Sequence, residues 1–284
     1  MLGFINIYKP REISSAFAVN KFKRKVGVKC GHMGTLDPLA SGVLPIGLNQ
    51  ATRLFNYLLD KEKKYIATFD FAYETPSYDL ETQPIKYSDF IPTKDEIKAI
   101  LPDFIGMIEQ VPPAFSAKMI DGKRSYKLAR KGKAIELAPK KVEITDIKLI
   151  EKVSDSAYSF EISCRGGTYI RSLARDIGEK FSCASTMTSL ERTASGFFTK
   201  ENSVELNEFI NSDDIEKYLI KPESVLNFPK ITLSTKESTR LLHGLKDEFD
   251  LSDGLYSIFS VNEFWGVGEI KNKILKMKSF VRDL

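Results

Sequence analysis

The string Gly31-His32-Met33-Gly34-Thr35-Leu36-Asp37-Pro38-Leu39-Ala40-Ser41-Gly42-Val43-Leu44-Pro45-Ile46-Gly47-Leu48 constrains this chain more than any other. It sets one carboxylate, Asp37, among four glycines and two prolines between apolar segments. Glycine supplies positive φ and proline fixes φ, so together they hold an irregular backbone path that an ordinary surface turn does not need. A carboxylate in such a loop, mounted on a rigid scaffold, is where chemistry tends to sit. An Asp-Pro pair is also a common turn opener and helix cap, and on these residues alone both readings of Asp37 stand.

At 284 residues the chain suits one large core with a small appendage, or two domains. Its 42% hydrophobic and 28% charged content is ordinary for a soluble globular protein, and no apolar run approaches the roughly 20 residues that cross a bilayer. The first ten residues lack the charged start and apolar stretch of a signal peptide, so a cytoplasmic location without a membrane partner is expected. Cys30, Cys164 and Cys183 form no C-x-x-C spacing, and His32 and His243 are the only imidazoles. With no H-E-x-x-H, Walker A or G-x-G-x-x-G string either, no metal, nucleotide or dinucleotide cofactor is expected.

The net charge of +4 is mild, but its distribution is uneven. Between Lys118 and Lys133 stand Lys118, Lys123, Arg124, Lys127, Arg130, Lys131 and Lys133 against the single acid Asp121. Such a run is a solvated face or a phosphate-contacting arm.

Ser14 or Ser15 caps a helix whose apolar positions Ala16, Val19, Phe22 and Val26 recur at helical spacing before Gly27. Ala51, Leu54, Phe55, Leu58 and Leu59 predict a second helix, so the Asp37 loop is expected to hang between two helices. Residues 65–71 read as a strand at least half-buried on both faces, and Thr93 with Glu96 as a capping box ahead of a helix. Residues 141–150 and 158–164 read as further strands, and Ile170, Leu173, Ala174, Ile177 and Phe181 as the stripe of a following helix. Strand runs separated by single helices and hairpin-like gaps indicate an α+β protein with a mixed sheet. An acidic stretch over 201–223 leads to Pro222 and Pro229, beyond which 255–259, 264–270 and 274–281 read as short strands.

The Asp37 string resembles the catalytic loop of the TruB family of tRNA pseudouridine synthases, and the resemblance extends from about Tyr8 to Ser195. Tyr8-Lys9-Pro10 with Ser14-Ser15 is similar to the family's K-P-x-G-x-[ST]-S opening, Glu12 standing where glycine is common. Val111-Pro112-Pro113-Ala114-Phe115-Ser116-Ala117 and Asp121-Gly122-Lys123-Arg124-Ser125-Tyr126 resemble the insertion that grips the tRNA T-arm, with Met119 in place of a usual lysine. Cys164-Arg165-Gly166-Gly167-Thr168-Tyr169-Ile170-Arg171 resembles the second signature. Asp79 aligns with a family acid in a turn that departs from T-D-T-x-D-x-x-G at Pro76 and Glu81-Thr82, and its role stays open.

The resemblance implies Asp37 as nucleophile and Arg171 as the group that aims it through paired hydrogen bonds. Tyr65 would lie against the target base, Tyr169 and Leu190 would line its pocket, and His32 would fill the space left by the everted nucleotide. Lys123, Arg124, Lys127, Arg130 and Lys131 would contact the RNA backbone. The implied fold is the mixed, largely antiparallel sheet of the pseudouridine synthases over 1–225, with the RNA-gripping insertion at about 108–138 and a small β-rich PUA-like RNA-binding domain over 226–284. In that domain Lys271, Lys273, Lys276 and Lys278 meet phosphates or protect an edge strand.

The implied activity is isomerisation of uridine 55 in the tRNA T-loop to pseudouridine on a flipped-out base, with no cofactor and with tRNA as the partner of a monomer that needs no other protein. Two rivals are an RNA-binding or folding factor without catalysis, and a hydrolase using Asp37 on a small substrate. The first leaves the joint presence of Asp37, Arg171 and Tyr65 unexplained, and the second the basic insertion.

Overall fold

The computed structural model describes residues 1–281 apart from 60, 117–118, 121–122, 126–127, 129–136 and 246. Of the basic-insertion candidates, Lys127, Arg130 and Lys131 lie outside the described residues, and only the backbone of Lys123 and Arg124 is described. The chain runs through β1 (Gly3–Lys9), α1 (Ser15–Val26), β2 (Cys30–His32), β3 (Ser41–Leu48), β4 (Lys63–Asp70), β5 (Tyr73–Glu74), β6 (Lys86–Tyr87) and α2 (Lys94–Ile100). It continues through β7 (Gly106–Gln110), β8 (Met119–Ile120), β9 (Lys123–Arg124), β10 (Lys140–Lys152), β11 (Ala157–Cys164), α3 (Ile170–Lys180), β12 (Thr186–Ser195), β13 (Phe198–Thr199), β14 (Val204–Glu205) and α4 (Leu206–Asn211). A last group comprises β15 (Lys230–Leu233), α5 (Thr235–Leu242), β16 (Gly254–Ser260), β17 (Glu263–Lys271) and β18 (Ile274–Phe280).

Ten strands form one mixed sheet, ordered β14-β1-β3-β12-β4-β11-β10-β7 with β2 on β3 and β13 on β12. Its pairings are antiparallel except β1 with β14 and β3 with β12. Period-2 alternation turns Ile5, Ile7, Ala67, Phe69, Phe160 and Ile162 to one face, where Phe22 of α1, Leu173 and Ile177 of α3 and Phe209 of α4 cover them. Each such side chain contributes about 1.5–3 kcal/mol of burial. On the other face Phe4, Val43 and Phe198 pack with Leu54 of a 3-10 helix, Asn49–Tyr57, and with Val267 and Val281 from the chain's end. Strands β15 to β18 form a separate four-stranded sheet with a core of Ile231, Leu233, Ile258, Trp265 and Ile270.

Three expectations need correction. Residues 41–48 are a buried central strand, so the Asp37 segment shrinks to 33–40 and hangs between two paired strands. Pro45 is tolerated within that strand because it offers only its carbonyl, which accepts from the Met33 N–H at 2.9 Å. The second helix is a 3-10 helix, in which residues three apart eclipse, so Ala51 and Leu54 face inward and Leu59 stays exposed. In α1 the buried stripe is Ser15, Ala18 and Phe22, with Ala16 exposed, because a polar residue takes the inward place in the first turn.

Candidate active site

That polar residue fixes the Asp37 loop. The Ser15 hydroxyl accepts from the Leu36 N–H and donates to the Leu36 carbonyl, both at 2.9 Å. From the end of β1 the Lys9 ammonium donates to Pro10 O at 2.8 Å, Ile13 O at 2.7 Å and Pro38 O at 3.4 Å. Asp37 is therefore bracketed by one residue tied to α1 and one tied to β1. Lys9 is fully buried, which lowers its pKa to about 8 even though the charge of Asp37 pulls it upward.

Asp37 keeps 35% of its side chain exposed, whereas the Arg171 side chain is only 4% exposed. Arg171 Nε meets Asp37 Oδ2 at 2.9 Å. Its Nη1 reaches Ser77 O at 3.0 Å and Asp79 Oδ2 at 3.4 Å, and Nη2 donates to Phe115 O at 3.0 Å. The paired fork expected on Asp37 does not form, because the turn at 77–79 and the segment entering the insertion occupy the remaining donors. Asp37 Oδ1 consequently bears no protein hydrogen bond among the described residues. Burial raises the Asp37 pKa above the usual carboxylate value; Arg171 opposes that rise, while Asp79 and Glu81 add to it.

The other half of the site comes from sheet register. Strands β4 and β12 pair with Tyr65 opposite Arg192 and Ala67 opposite Leu190, placing Tyr65, Leu190 and Arg192 on one face. Arg192 also lies opposite Gly42 in a parallel junction of two residue pairs, beyond which β3 and β12 stop pairing. There the guanidinium replaces the ladder: Nε donates to Val43 O at 2.8 Å and Nη2 to Gly34 O at 3.1 Å. Gly42 has φ 111°, and a Cβ there would collide with the backbone N and O of Arg192. Arg192, itself buried, brings its charge beside the Tyr65 phenol. Burial pushes the Tyr65 phenol up to about 12, with Arg192 pulling against it and the nearby Asp37 charge adding to it.

His32 ends β2 half-buried, and burial lowers its pKa with help from the Arg192 charge, which leaves the imidazole neutral near pH 7. Tyr169 precedes α3, where the Gln110 side chain binds it twice: Oε1 accepts the Tyr169 N–H at 2.8 Å and Nε2 donates to the Tyr169 carbonyl at 3.1 Å. That clamp fixes the start of the helix two residues before Arg171.

The structure thus gathers Asp37, Arg171 and Tyr65, carries Leu190 on the strand of Arg192, and sets Tyr169 and His32 on neighbouring elements. It adds Lys9 and Arg192, and sets Asp79 against Arg171. Arg192 stands two residues after Leu190, but the strand that turns both inward, β12, is not among the strands read from the sequence. Among the described residues no group of three or more His, Cys, Asp or Glu side chains is gathered as for a metal ion, and no helix is long and apolar enough to cross a membrane.

Two family models match the chain: TruB family pseudouridylate synthase (N terminal domain) over residues 20–170, and tRNA pseudouridylate synthase B C-terminal domain over 171–223. The second match contains most of α3 and all of β12, which the structure builds into and against the ten-stranded sheet. A tRNA pseudouridine synthase B of Clostridium novyi (strain NT) is 39% identical over 291 residues, 99% of this chain and 100% of its own length. A protein of the same name from Ehrlichia canis (strain Jake) is 44% identical over 208 residues, 72% of this chain and 69% of its own. Among solved structures, an H/ACA RNP bound to a substrate RNA containing 2'-deoxyuridine aligns with a TM-score of 0.74 at 22% identity over 99% of this chain and 86% of that chain, a likeness of fold.

Proposed function

The chain belongs to the TruB family of pseudouridylate synthases, isomerases that for its near relatives act on tRNA, and from that premise we propose that it converts uridine 55 of the T-loop to pseudouridine with Asp37 as nucleophile. The observation that carries the proposal is the asymmetry of Asp37: Arg171 holds Oδ2 at 2.9 Å, while Oδ1 takes no protein hydrogen bond among the described residues and the side chain is 35% exposed. A nucleophile needs that combination, one oxygen aimed and the other available.

In this reading the target nucleotide is flipped out of its stem, at a cost of a few kcal/mol that pocket contacts offset. His32 occupies the vacated space, and Tyr169 and Leu190 line the base pocket. Asp37 attacks and bonds to the nucleotide, the N1–C1′ bond breaks, the base turns, a C1′–C5 bond forms, and the Asp37 bond to the nucleotide breaks, returning the free carboxylate. The C5 proton then leaves with the help of the Tyr65 hydroxyl, beside which the Arg192 charge lies, and N1 takes up a proton in its place. Atoms are only rearranged, so the balance needs no oxidant, reductant or phosphoryl donor.

The enzyme works as a cytoplasmic monomer, with the insertion at 108–138 holding the T-arm through Lys123, Arg124, Lys127, Arg130 and Lys131. Residues 226–284 serve as a PUA-like RNA-binding unit. The test is to incubate the protein with an unmodified tRNA transcript, without added metal, and to map pseudouridine. A single modified site at position 55 is expected; pseudouridine elsewhere, or none, contradicts the proposal.

A further inference from the structure

Arg171 and Arg175 stand one helical turn apart on α3 and grip the same short turn. Arg171 takes Ser77 O and the Asp79 carboxylate. Arg175 takes the residue between them, its guanidinium lying 5.1 Å from the centre of the Tyr78 ring. Tyr78 has φ 57°, a left-handed conformation that a bulky aromatic residue seldom holds and that persists only where surroundings over-determine it. That conformation turns Ser77 O and Asp79 Oδ2 toward one nitrogen, Arg171 Nη1.

The surroundings that enforce it are visible. The Tyr78 carbonyl accepts from the Met187 N–H at 3.0 Å, and its N–H donates to Thr75 O at 3.0 Å. Its ring is pinned by Arg175, whose side chain is 12% exposed and is anchored in turn by Asp176 at 2.8 Å, Glu179 at 3.6 Å and Val111 O at 3.2 Å.

We propose that Tyr78 and Arg175 are positioning residues for the isomerisation: the ring and cation pin the strained turn, the turn holds Asp79 and Ser77 O on Arg171, and Arg171 so held keeps Asp37 aimed. The proposal rests on the reading of Asp37 as nucleophile. The charged or titratable groups bearing on Asp37 are Arg171, Asp79, Glu81, Lys9 and Tyr65. If the turn lets go of Arg171, the negative charge of Asp79 withdraws from Asp37, whose pKa it raises, and Asp37 ionisation moves to lower pH.

The experiment measures single-turnover pseudouridine formation on bound tRNA transcript against pH, with tRNA Kd and Tm alongside. Arg175→Ala and Tyr78→Ala are each expected to lower the rate at neutral pH by roughly ten-fold, on the scale of a desolvated cation–ring contact. Their tRNA Kd stays near wild type, their acid limb moves to lower pH, and the double variant is no slower than either single one. Tyr78→Phe keeps the ring and stays near wild type. Tyr78→Gly accepts the left-handed φ freely but has no ring, and it falls with Tyr78→Ala.

Full activity of Arg175→Ala or Tyr78→Gly, or a rate loss with an unmoved acid limb, overturns the proposal. Where an alanine variant fails to fold, Arg175→Lys must still move the acid limb downward. A wild type that makes no pseudouridine defeats the functional reading instead; an active wild type beside an indifferent Arg175→Ala defeats this inference alone.

Discussion

Asp37 owes its part in the account to a single shared contact, and that makes Arg171 the most sensitive neighbour. Lysine offers one ammonium where arginine spreads donors over Asp37, Ser77, Asp79 and Phe115, so Arg171→Lys leaves Asp37 unaimed and should lower single-turnover rate well over roughly ten-fold with the fold retained. The sign on pH follows from the same contact. The nucleophile must be ionised, burial already raises its pKa above the ordinary 3.8, and weakening the Arg171 contact removes an opposing pull. The acid limb of Arg171→Lys should therefore move up; a rate and limb equal to wild type contradict the pairing. Tyr65→Phe keeps the ring and deletes the hydroxyl beside the Arg192 charge, so it should bind tRNA normally yet release the C5 proton slowly, as read by tritium loss from 5-tritiated uridine; wild-type release leaves only a stacking role. Asp37 and Arg171 could be singled out because each stands in a recognisable string, and the structure brings the two into contact. Lys9 sat in a quoted string and Arg192 two residues beyond Leu190, both without a role, since sequence alone does not distinguish a buried cation held by carbonyls from a solvated one.

The elements place the site where the sheet is about to part. Strands β3 and β12 pair only at Ser41 with Glu191 and Gly42 with Arg192, so one glycine keeps the two halves of the site in register. Gly42→Ala must both hold φ 111° and move the Arg192 backbone, and should cost about 3 kcal/mol, seen as a lowered denaturation midpoint together with lost activity. A variant as stable as wild type would show that β3 and β12 can slide freely there. The long periodic segments were legible: the alternation of residues 65–71, the Thr93–Glu96 capping box and the α3 stripe all appear as expected. What apolar periodicity missed has physical reasons. Ser15 takes a core place because its hydroxyl pairs with both backbone groups of Leu36, and 41–48 is a strand because its glycines and proline are paired by neighbours distant in sequence.

Across the whole molecule the four-stranded sheet is fastened to the ten-stranded body rather than tethered by a bare linker. Arg53 donates to Phe280 O at 2.8 Å, Tyr57 and Ser279 share a hydrogen bond at 3.2 Å, and the Tyr57 ring meets Phe228 edge-on. Two of its lysines are already paired at the surface, Lys273 with Asp250 at 2.8 Å and Lys278 with Glu269 at 2.9 Å, which leaves the insertion as the main candidate for phosphate contact. For duplex contacts each neutralised phosphate adds about −0.9 to the slope of log K against log salt, so replacing Arg124 and Arg130 by Ala should flatten the slope for tRNA by about two units while chemistry on bound RNA persists. An unchanged slope makes that run a solvated face. Everything in the account converges on one carboxylate, and the most direct measurement is single-turnover pseudouridine formation by Asp37→Asn on an unmodified tRNA transcript, with tRNA affinity measured on the same preparation. With Asp37 as nucleophile, the variant binds tRNA within several-fold of wild type and makes no pseudouridine at position 55; modification at a near-normal rate would contradict that role.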